Sequence, residues 1–284
     1  DVEHIIIDGG STDGTVEVIR KNENKLAYWV SEKDNGQSDA INKGIVKCSG
    51  EFFNWLNADD QLTDGALEIV MSLASPETKA VIGRCEHVDE VGKRVSIGSA
   101  RIWETLEATL GNYSMGQPSL FYRTSVIRKM YKLNTTLHFC MDMDLWFRYL
   151  LEYGQKDIHV TDKVLSKFLV HSNSKSVQHK IQMTNEKYGI YHALLGKSTM
   201  PQVLIEFFSS YPIREKVQFK PTDHLNFEEL YSYFCWRLMQ KAYEESNLHL
   251  CKDYFEVVRV GSALSETEKL KWQARIQLAK LTSG

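Results

Sequence analysis

Three short apolar runs, spaced by helix-length stretches, occupy the first sixty residues and restrict the fold more than any other feature of the chain. Residues 3–8 (EHIIID) are dense in β-branched side chains and read as a buried strand. The turn Gly9-Gly10-Ser11-Thr12-Asp13-Gly14-Thr15 follows, leading into a helix of about two turns whose cap is Ser11, Thr12 or Asp13. Residues 26–31 (LAYWVS) read as a second strand, and 37–47 as a second helix with Ala40, Ile41, Gly44 and Ile45 on one face. A third strand, 52–57 (FFNWLN), runs into Ala58-Asp59-Asp60. Strands alternating with helices at this spacing imply βαβ crossovers, hence an α/β fold with a mixed, mainly parallel sheet flanked by helices.

Beyond residue 79 the pattern changes. Residues 79–88 and 93–98 flank Asp89-Glu90-Val91-Gly92 and predict a hairpin. Residues 142–153 carry helical periodicity, and 156–170 predicts two short strands. From about 176 onward the pattern is almost wholly helical, broken near Pro201, Pro212 and Pro221. These breaks put a boundary near 196–200, dividing the chain into an α/β domain (1–196) and a helical C-terminal appendage (197–284). In the appendage Phe207, Phe208, Tyr211, Phe227, Leu230, Tyr231, Phe234, Trp236 and Leu238 recur at helical spacing, which reads as helix–helix packing. Peripheral membrane association and a homo-oligomer formed through this tail are the other uses such a stripe allows, although the Lys/Arg-rich polar face of an interfacial anchor is missing.

Composition narrows the function classes. At 284 residues, with 43% hydrophobic and 25% charged side chains, the chain has the make-up of a folded globular protein. A formal net charge of −3 provides no basic field to hold nucleic acid, so that partner is excluded. The five cysteines are scattered and never in a CxxC spacing, which argues against a disulfide framework or structural zinc and for a reducing, cytoplasmic setting. No apolar run reaches the ~18 residues of a membrane span.

The acidic residues sit where an open α/β sheet binds ligands, at the carboxyl ends of strands. Asp8 closes the first run, and Asp59 with Asp60 closes the third, each beside a turn that lets a ligand approach the backbone. Such carboxylates suit a divalent cation carrying a diphosphate. Taken singly, Asp8 and Asp13 read equally well as helix caps and Asp59-Asp60 as a turn. Their joint occurrence, in order and at strand ends, favours the ligand reading.

Three blocks resemble the nucleotide-binding half of family-2 glycosyltransferases of the bacterial polysaccharide-biosynthesis type: Ile5-Ile6-Ile7-Asp8-Gly9-Gly10-Ser11-Thr12-Asp13-Gly14-Thr15, Ser31-Glu32-Lys33-Asp34-Asn35-Gly36-Gln37-Ser38-Asp39-Ala40-Ile41-Asn42-Lys43-Gly44, and Trp55-Leu56-Asn57-Ala58-Asp59-Asp60. The resemblance covers about residues 1–175 and implies the GT-A fold, a nucleotide-diphospho-sugar transferase architecture, with an inverting transfer from a nucleoside-diphosphate sugar, a UDP-sugar first, to a hydroxyl of a glycan or lipid-linked acceptor. By position it makes Asp8, Gly9, Ser11, Asp34, Asp39 and Asp59 nucleotide-binding residues. Asp59 and Asp60 match the DxD-like segment that holds Mn²⁺ or Mg²⁺, and His171 stands where some members place a histidine near the metal. Two departures stand out: Asn57 replaces the first aspartate of that segment, and Gly9 replaces a second aspartate often found beside the base.

Further along, Phe139-Cys140-Met141-Asp142-Met143-Asp144-Leu145-Trp146-Phe147-Arg148 resembles the family segment with an acidic residue before a Leu-Trp-x-Arg helix, which makes Asp142 the catalytic base. Two residues apart on a helix, Asp142 and Asp144 point in different directions, so only one faces the acceptor. Gln117, Asp144 and Trp146 are the acceptor-side candidates. An inverting transfer needs a single carboxylate to take the acceptor proton, while a metal neutralises the departing diphosphate. The rival readings are a non-catalytic, truncated GT-A interaction subunit and a sugar-phosphate nucleotidyltransferase, the latter lacking here its Gly-rich, Lys/Arg-bearing opening loop. Family members begin with a strand upstream of the one at 3–8, so a chain that opens directly on a buried strand reads as cut. With a lipid-linked acceptor, the setting becomes the cytoplasmic face of a membrane.

Overall fold

The computed structural model describes residues 1–130, 132–196, 199–213, 217–220 and 224–282, apart from the side chains of 176 and 280–282. Pro221 and residues 197–198, within the expected boundary, lie outside the described residues. Two compact units emerge, one of Asp1–Ile102 with Ser114–Glu186, the other of Trp103–Tyr113 with Lys187–Gly284. The packing therefore divides about ten residues before position 196, and it assigns a short internal segment to the helical unit.

In chain order the elements are β1 (Ile5–Asp8), α1 (Thr15–Lys21), β2 (Tyr28–Ser31), α2 (Gln37–Lys47), β3 (Phe52–Phe53), β4 (Gln61–Leu62), α3 (Ala66–Leu73), β5 (Ala80–Val88), β6 (Arg94–Ile97), α4 (Leu106–Gly111), β7 (Leu120–Arg123), α5 (Thr124–Lys129), α6 (Met141–Tyr153), β8 (Ile158–Leu169), α7 (Lys175–Gln178), α8 (Lys180–Leu195), α9 (Gln202–Ser209), α10 (Phe227–Glu244), α11 (Leu248–Val260) and α12 (Glu266–Thr282).

Pairing is mixed. β1 lies parallel to β2, and β5 lies parallel to β8. The β3–β7, β5–β7, β5–β6 and β4–β8 ladders are antiparallel, giving a sheet ordered β3-β7-β5-β8-β4 with β6 on β5. The parallel pairing implied by the early alternation is thus confined to two ladders, because the second half of the unit returns by hairpins and short turns.

Alternation along the central strands gives each face of this sheet its own core. Val81, Phe121 and Leu165 turn to one side and meet Ala66 and Val70 of α3. On α6, Trp146 and Tyr149 stack with centroids 5.1 Å apart, and the Tyr122 ring of β7 approaches both, at 6.3 and 5.6 Å. Gly83 makes the β5–β8 contact: a Cβ there would stand 2.3 Å from Leu165 Cγ. The ladder shifts register beside Gly83, between Ile82 and Arg84, and continues. Residues 156–170 accordingly form one long strand rather than two, with the polar stretch Thr161–Lys163 crossing the irregularity.

Two further expectations are corrected locally. The third strand stops at Phe53, because the Asn54 side chain, in place of the backbone, donates to Leu120 O (2.8 Å) and Pro118 O (3.2 Å) of the neighbouring segment. The cap of α1 is Gly14 in a left-handed conformation, while Asp13 accepts from the Thr15 N–H (3.2 Å) and hydroxyl (2.7 Å).

In the helical unit the aromatic stripe is core. Phe208 and Phe234 stack at 5.7 Å, Tyr191 lies 4.5 Å from Phe234, and Leu230, Tyr231 and Leu238 are buried. The five cysteines are free and buried. Among the described residues no helix is long and apolar enough to cross a membrane.

Candidate active site

β1 delivers Asp8 at its end, and the loop after it folds around that carboxylate. Asp8 accepts from the Gly10 N–H (3.0 Å), the Ser11 N–H (2.9 Å), the Ser11 hydroxyl (2.5 Å) and, across the parallel ladder, the Ser31 hydroxyl (2.6 Å). Burial to 8% exposure disfavours its charge, yet the four hydrogen bonds outweigh that penalty and bring its pKa down to about 2. Asp8 is therefore a permanently charged organiser of the Gly9–Ser11 loop.

Gly9 explains its own departure from the family pattern. A Cβ at this position would stand 2.7 Å from Asp34 Oδ2, so the Asp34 carboxylate fills the space of a side chain at position 9. Asp34 in turn accepts from the Gly36 N–H (2.8 Å), and Asp39 accepts from the Asn35 N–H (3.1 Å), which shapes the approach to α2. Asp8, Gly9, Ser11, Asp34 and Asp39 thus line one stretch of loop and helix start.

A second group gathers at residues 57–60. Asn57 takes a hydrogen bond from Gln37 Nε2 (2.5 Å) and donates to Asp60 Oδ2 (2.9 Å). Asp60 also accepts from the Leu169 N–H (3.3 Å) at the end of β8. Burial, reinforced by the neighbouring Asp59 charge, raises the Asp60 pKa to about 6. Asp59 is the outward member of the pair, its Oδ2 standing 3.2 Å from His171 Nε2. Gln37, at the start of α2, also ties this group to α7, its side-chain oxygen accepting from Lys175 Nζ (3.1 Å). The amide of Asn57 therefore does what a carboxylate could not, accepting from Gln37 while donating to Asp60.

Asp142 occupies the first turn of α6 and is half-buried. Asp144 and Trp146, expected on the acceptor side, are core residues instead. Asp144 is 1% exposed and grips Arg148 Nε (3.0 Å) and Nη2 (2.8 Å) one turn on. Burial raises its pKa, against the Arg148 guanidinium. Trp146 is 2% exposed within the stack on Tyr149. Of the two helix-start carboxylates, only Asp142 reaches solvent. Gln117 is half-buried and donates to Trp55 O (2.7 Å), bracing the segment before Asn57.

Sequence reasoning missed two positioning groups. Glu186, 9% exposed, accepts from the His138 (2.9 Å), Phe139 (2.8 Å) and Cys140 (3.0 Å) N–H groups, capping the start of α6 just ahead of Asp142. Asn42 exchanges two buried hydrogen bonds with the Leu133 backbone, at 3.0 and 2.7 Å, tying α2 to the same approach. Gln37 at least lay inside a recognisable block; Glu186 sits 46 residues from Cys140 with no local signal.

Among the described residues, no three His, Cys, Asp or Glu side chains converge as a metal cage. Asp59 and His171 are nonetheless a hard oxygen and an imidazole held together on an accessible edge, and a cation that arrives on a diphosphate needs only one or two protein donors. Asp60 is committed to Asn57 and Leu169 and backs this pair from behind.

The pattern described as "Glycosyl transferase family 2" matches residues 1–149. An uncharacterized glycosyltransferase of Mycobacterium tuberculosis is 44% identical over 62 residues, which is 22% of this chain and 24% of that protein. The GalNAc(5)-diNAcBac-PP-undecaprenol beta-1,3-glucosyltransferase of Campylobacter jejuni is 33% identical over 89 residues, 30% of this chain and 29% of that protein. The chain thus matches less than a third of the length of either relative. Among solved structures, S. aureus TarS 1–349 in complex with UDP superimposes with a TM-score of 0.53 at 14% identity, over 98% of this chain and 78% of that one. That likeness is one of fold, the GT-A type of α/β architecture. Since the family pattern takes in more than half of its 284 residues, the chain belongs to glycosyltransferase family 2.

Proposed function

We propose that this protein transfers a sugar from a nucleoside-diphosphate donor to an acceptor hydroxyl, with inversion at the anomeric carbon and Asp142 as the general base. The observation that carries the reading is the contrast at the start of α6: Asp144 is neutralised by Arg148 in the core, while Asp142, one of two carboxylates on that turn, keeps access to solvent behind a loop pinned by Glu186. A carboxylate that reaches solvent from the first turn of a helix is what base-assisted attack on an alcohol requires. The Gly9–Ser11 loop, held by a charged Asp8, and the Asp34 carboxylate beside it form the nucleotide side. The UDP complex of the S. aureus relative in fold supports a uridine donor, and the undecaprenol-linked substrate named for the Campylobacter relative supports a lipid-linked acceptor met at the cytoplasmic face of a membrane.

Asp59 and His171 would hold a Mn²⁺ or Mg²⁺ ion, which when bound neutralises charge on the departing diphosphate. The residues around them set its approach: Gln37 and Asn57 fix the 57–60 segment, and Asp60 anchors it to β8.

Calorimetric titration of the chain with UDP- and GDP-sugars, with and without Mn²⁺, followed by turnover of the best donor, tests this. Asp142→Asn is expected to leave donor affinity within about twofold and to lower kcat by roughly 10²–10⁴-fold, the range for loss of a general base. Unchanged turnover in that variant overturns the base assignment, and failure of every nucleotide sugar to bind overturns the activity.

A further inference from the structure

A cavity of about 250 Å³ opens at the N-terminus of α2, between the helix start, the segment leading into α6, and α7. Its charged and titratable lining is basic: Lys175, His138 and His179 border it, and no aspartate or glutamate does. α2 is eleven residues long and begins at Gly36, with no side chain capping it. The backbone N–H groups of Gln37 and Ser38 have no acceptor among the described residues. Ser38 lines the cavity at 3% exposure, and its hydroxyl has no hydrogen-bond partner among the described residues. A buried hydroxyl without a partner is destabilising unless a ligand or water completes it. The cavity thus combines an uncapped helix N-terminus, an orphaned buried donor and a cation held in place, since Lys175 Nζ is 3.1 Å from Gln37 Oε1.

We propose that this cavity is a phosphate-binding subsite and that it gives the enzyme a phosphorylated acceptor. Convergent N–H donors at the positive end of a helix, a hydroxyl and an ammonium match the acceptor oxygens of a phosphate group. The volume is below the ~300–1,000 Å³ of pockets that enclose a whole small-molecule ligand, so it fits a headgroup and not a nucleotide sugar. Met141 lines the same cavity and opens the helix turn that also carries Asp142, so a phosphate bound here lies at the start of α6. This assignment to the acceptor rests on Asp142 being that base; the binding of phosphate itself does not.

The test uses the whole chain and inorganic phosphate as probe, at constant ionic strength against chloride. Phosphate is expected to raise Tm in the parent protein, and Lys175→Ala, a change at an exposed side chain, to weaken phosphate at least tenfold while leaving UDP affinity within twofold. Ser38→Ala, which removes the orphaned hydroxyl without adding bulk, is expected to weaken phosphate as well and to leave the fold intact by circular dichroism. With a polyprenyl phosphate as acceptor, Lys175→Ala is expected to raise the acceptor KM and not the donor KM. Phosphate no more stabilising than chloride overturns the subsite. Displacement of phosphate by UDP, with equal loss of UDP affinity in Lys175→Ala, assigns the phosphate to the donor and overturns the acceptor proposal. Neither result depends on whether Asp142→Asn is active, so failure of this inference is separable from failure of the proposed reaction.

Discussion

Asp8 does its work through four hydrogen bonds rather than by exposure, and that has a pH signature. Its pKa in the folded protein is about 2 against an ordinary 3.8, so the fold favours the charged form. The corresponding stability is fully present above pH 3.8 and is lost as pH falls through 2. A tenfold change in an ionisation equilibrium corresponds to about 1.4 kcal/mol, so the contribution is on the order of 2 kcal/mol. Asp8→Asn is therefore expected to be less stable than the parent by up to about this amount at neutral pH, with the gap closing between pH 4 and 2 in denaturant titrations. A gap independent of pH would show that the carboxylate charge is not what holds the loop. Asp8, Asp59 and Asp142 stand out in the sequence only through the order of the blocks that carry them and their resemblance to a family, since singly a carboxylate at a strand end or helix start reads equally well as a cap or a turn. Glu186 and Asn42 were not, since each acts on backbone brought near only by the fold.

At the scale of elements, the sequence announced most helices and strands by periodicity, and failed where side chains compete with the backbone. α2 and α6 were readable because their apolar positions recur every three to four residues. β3 was overread because nothing local says that the Asn54 amide will take the Leu120 carbonyl. β8 was underread because its polar centre looks like a break, whereas a register shift beside Gly83 carries the ladder through. That glycine is itself a prediction. Gly83→Ala sets a methyl 2.3 Å from Leu165 Cγ and 3.0 Å from the Lys163 carbonyl, in the parallel ladder at the centre of the sheet. Overpacking of this kind costs about 1–3 kcal/mol. A Tm lower by several degrees, with Asp142-dependent turnover surviving at low temperature, is the expected result; a Tm equal to the parent's would mean that β5 and β8 are less tightly packed than these distances say.

For the whole molecule, the consequential feature is that α4, deep in the first half of the chain, belongs to the helical unit. Leu110 O accepts from the Tyr191 hydroxyl (3.2 Å), Glu107 accepts from the Asn226 N–H (2.8 Å), and Gly111 lies so close to α10 that a Cβ there would be 2.6 Å from Tyr233 Cβ. The helical character of the tail was readable, but the packing divides at Glu186 rather than near 196, and the allegiance of six residues some eighty positions upstream was not readable, because it depends on partners that periodicity cannot name. The helical unit is accordingly no detachable appendage: it is threaded by the chain twice. Deleting residues 187–284 strips Ala108 and Leu110, now 1% and 0% exposed, of the helices that cover them. The truncated chain is expected to bind a hydrophobic dye, to associate or precipitate, and to lose cooperative unfolding, as proteins with a large uncovered apolar patch do. Deleting only α12, whose charged turns make fewer such contacts, is expected to leave α4 covered by α10 and the protein monodisperse. If instead the 1–186 fragment unfolds cooperatively at the parent Tm, α4 is held by the α/β unit, and the two-pass description of the helical unit fails.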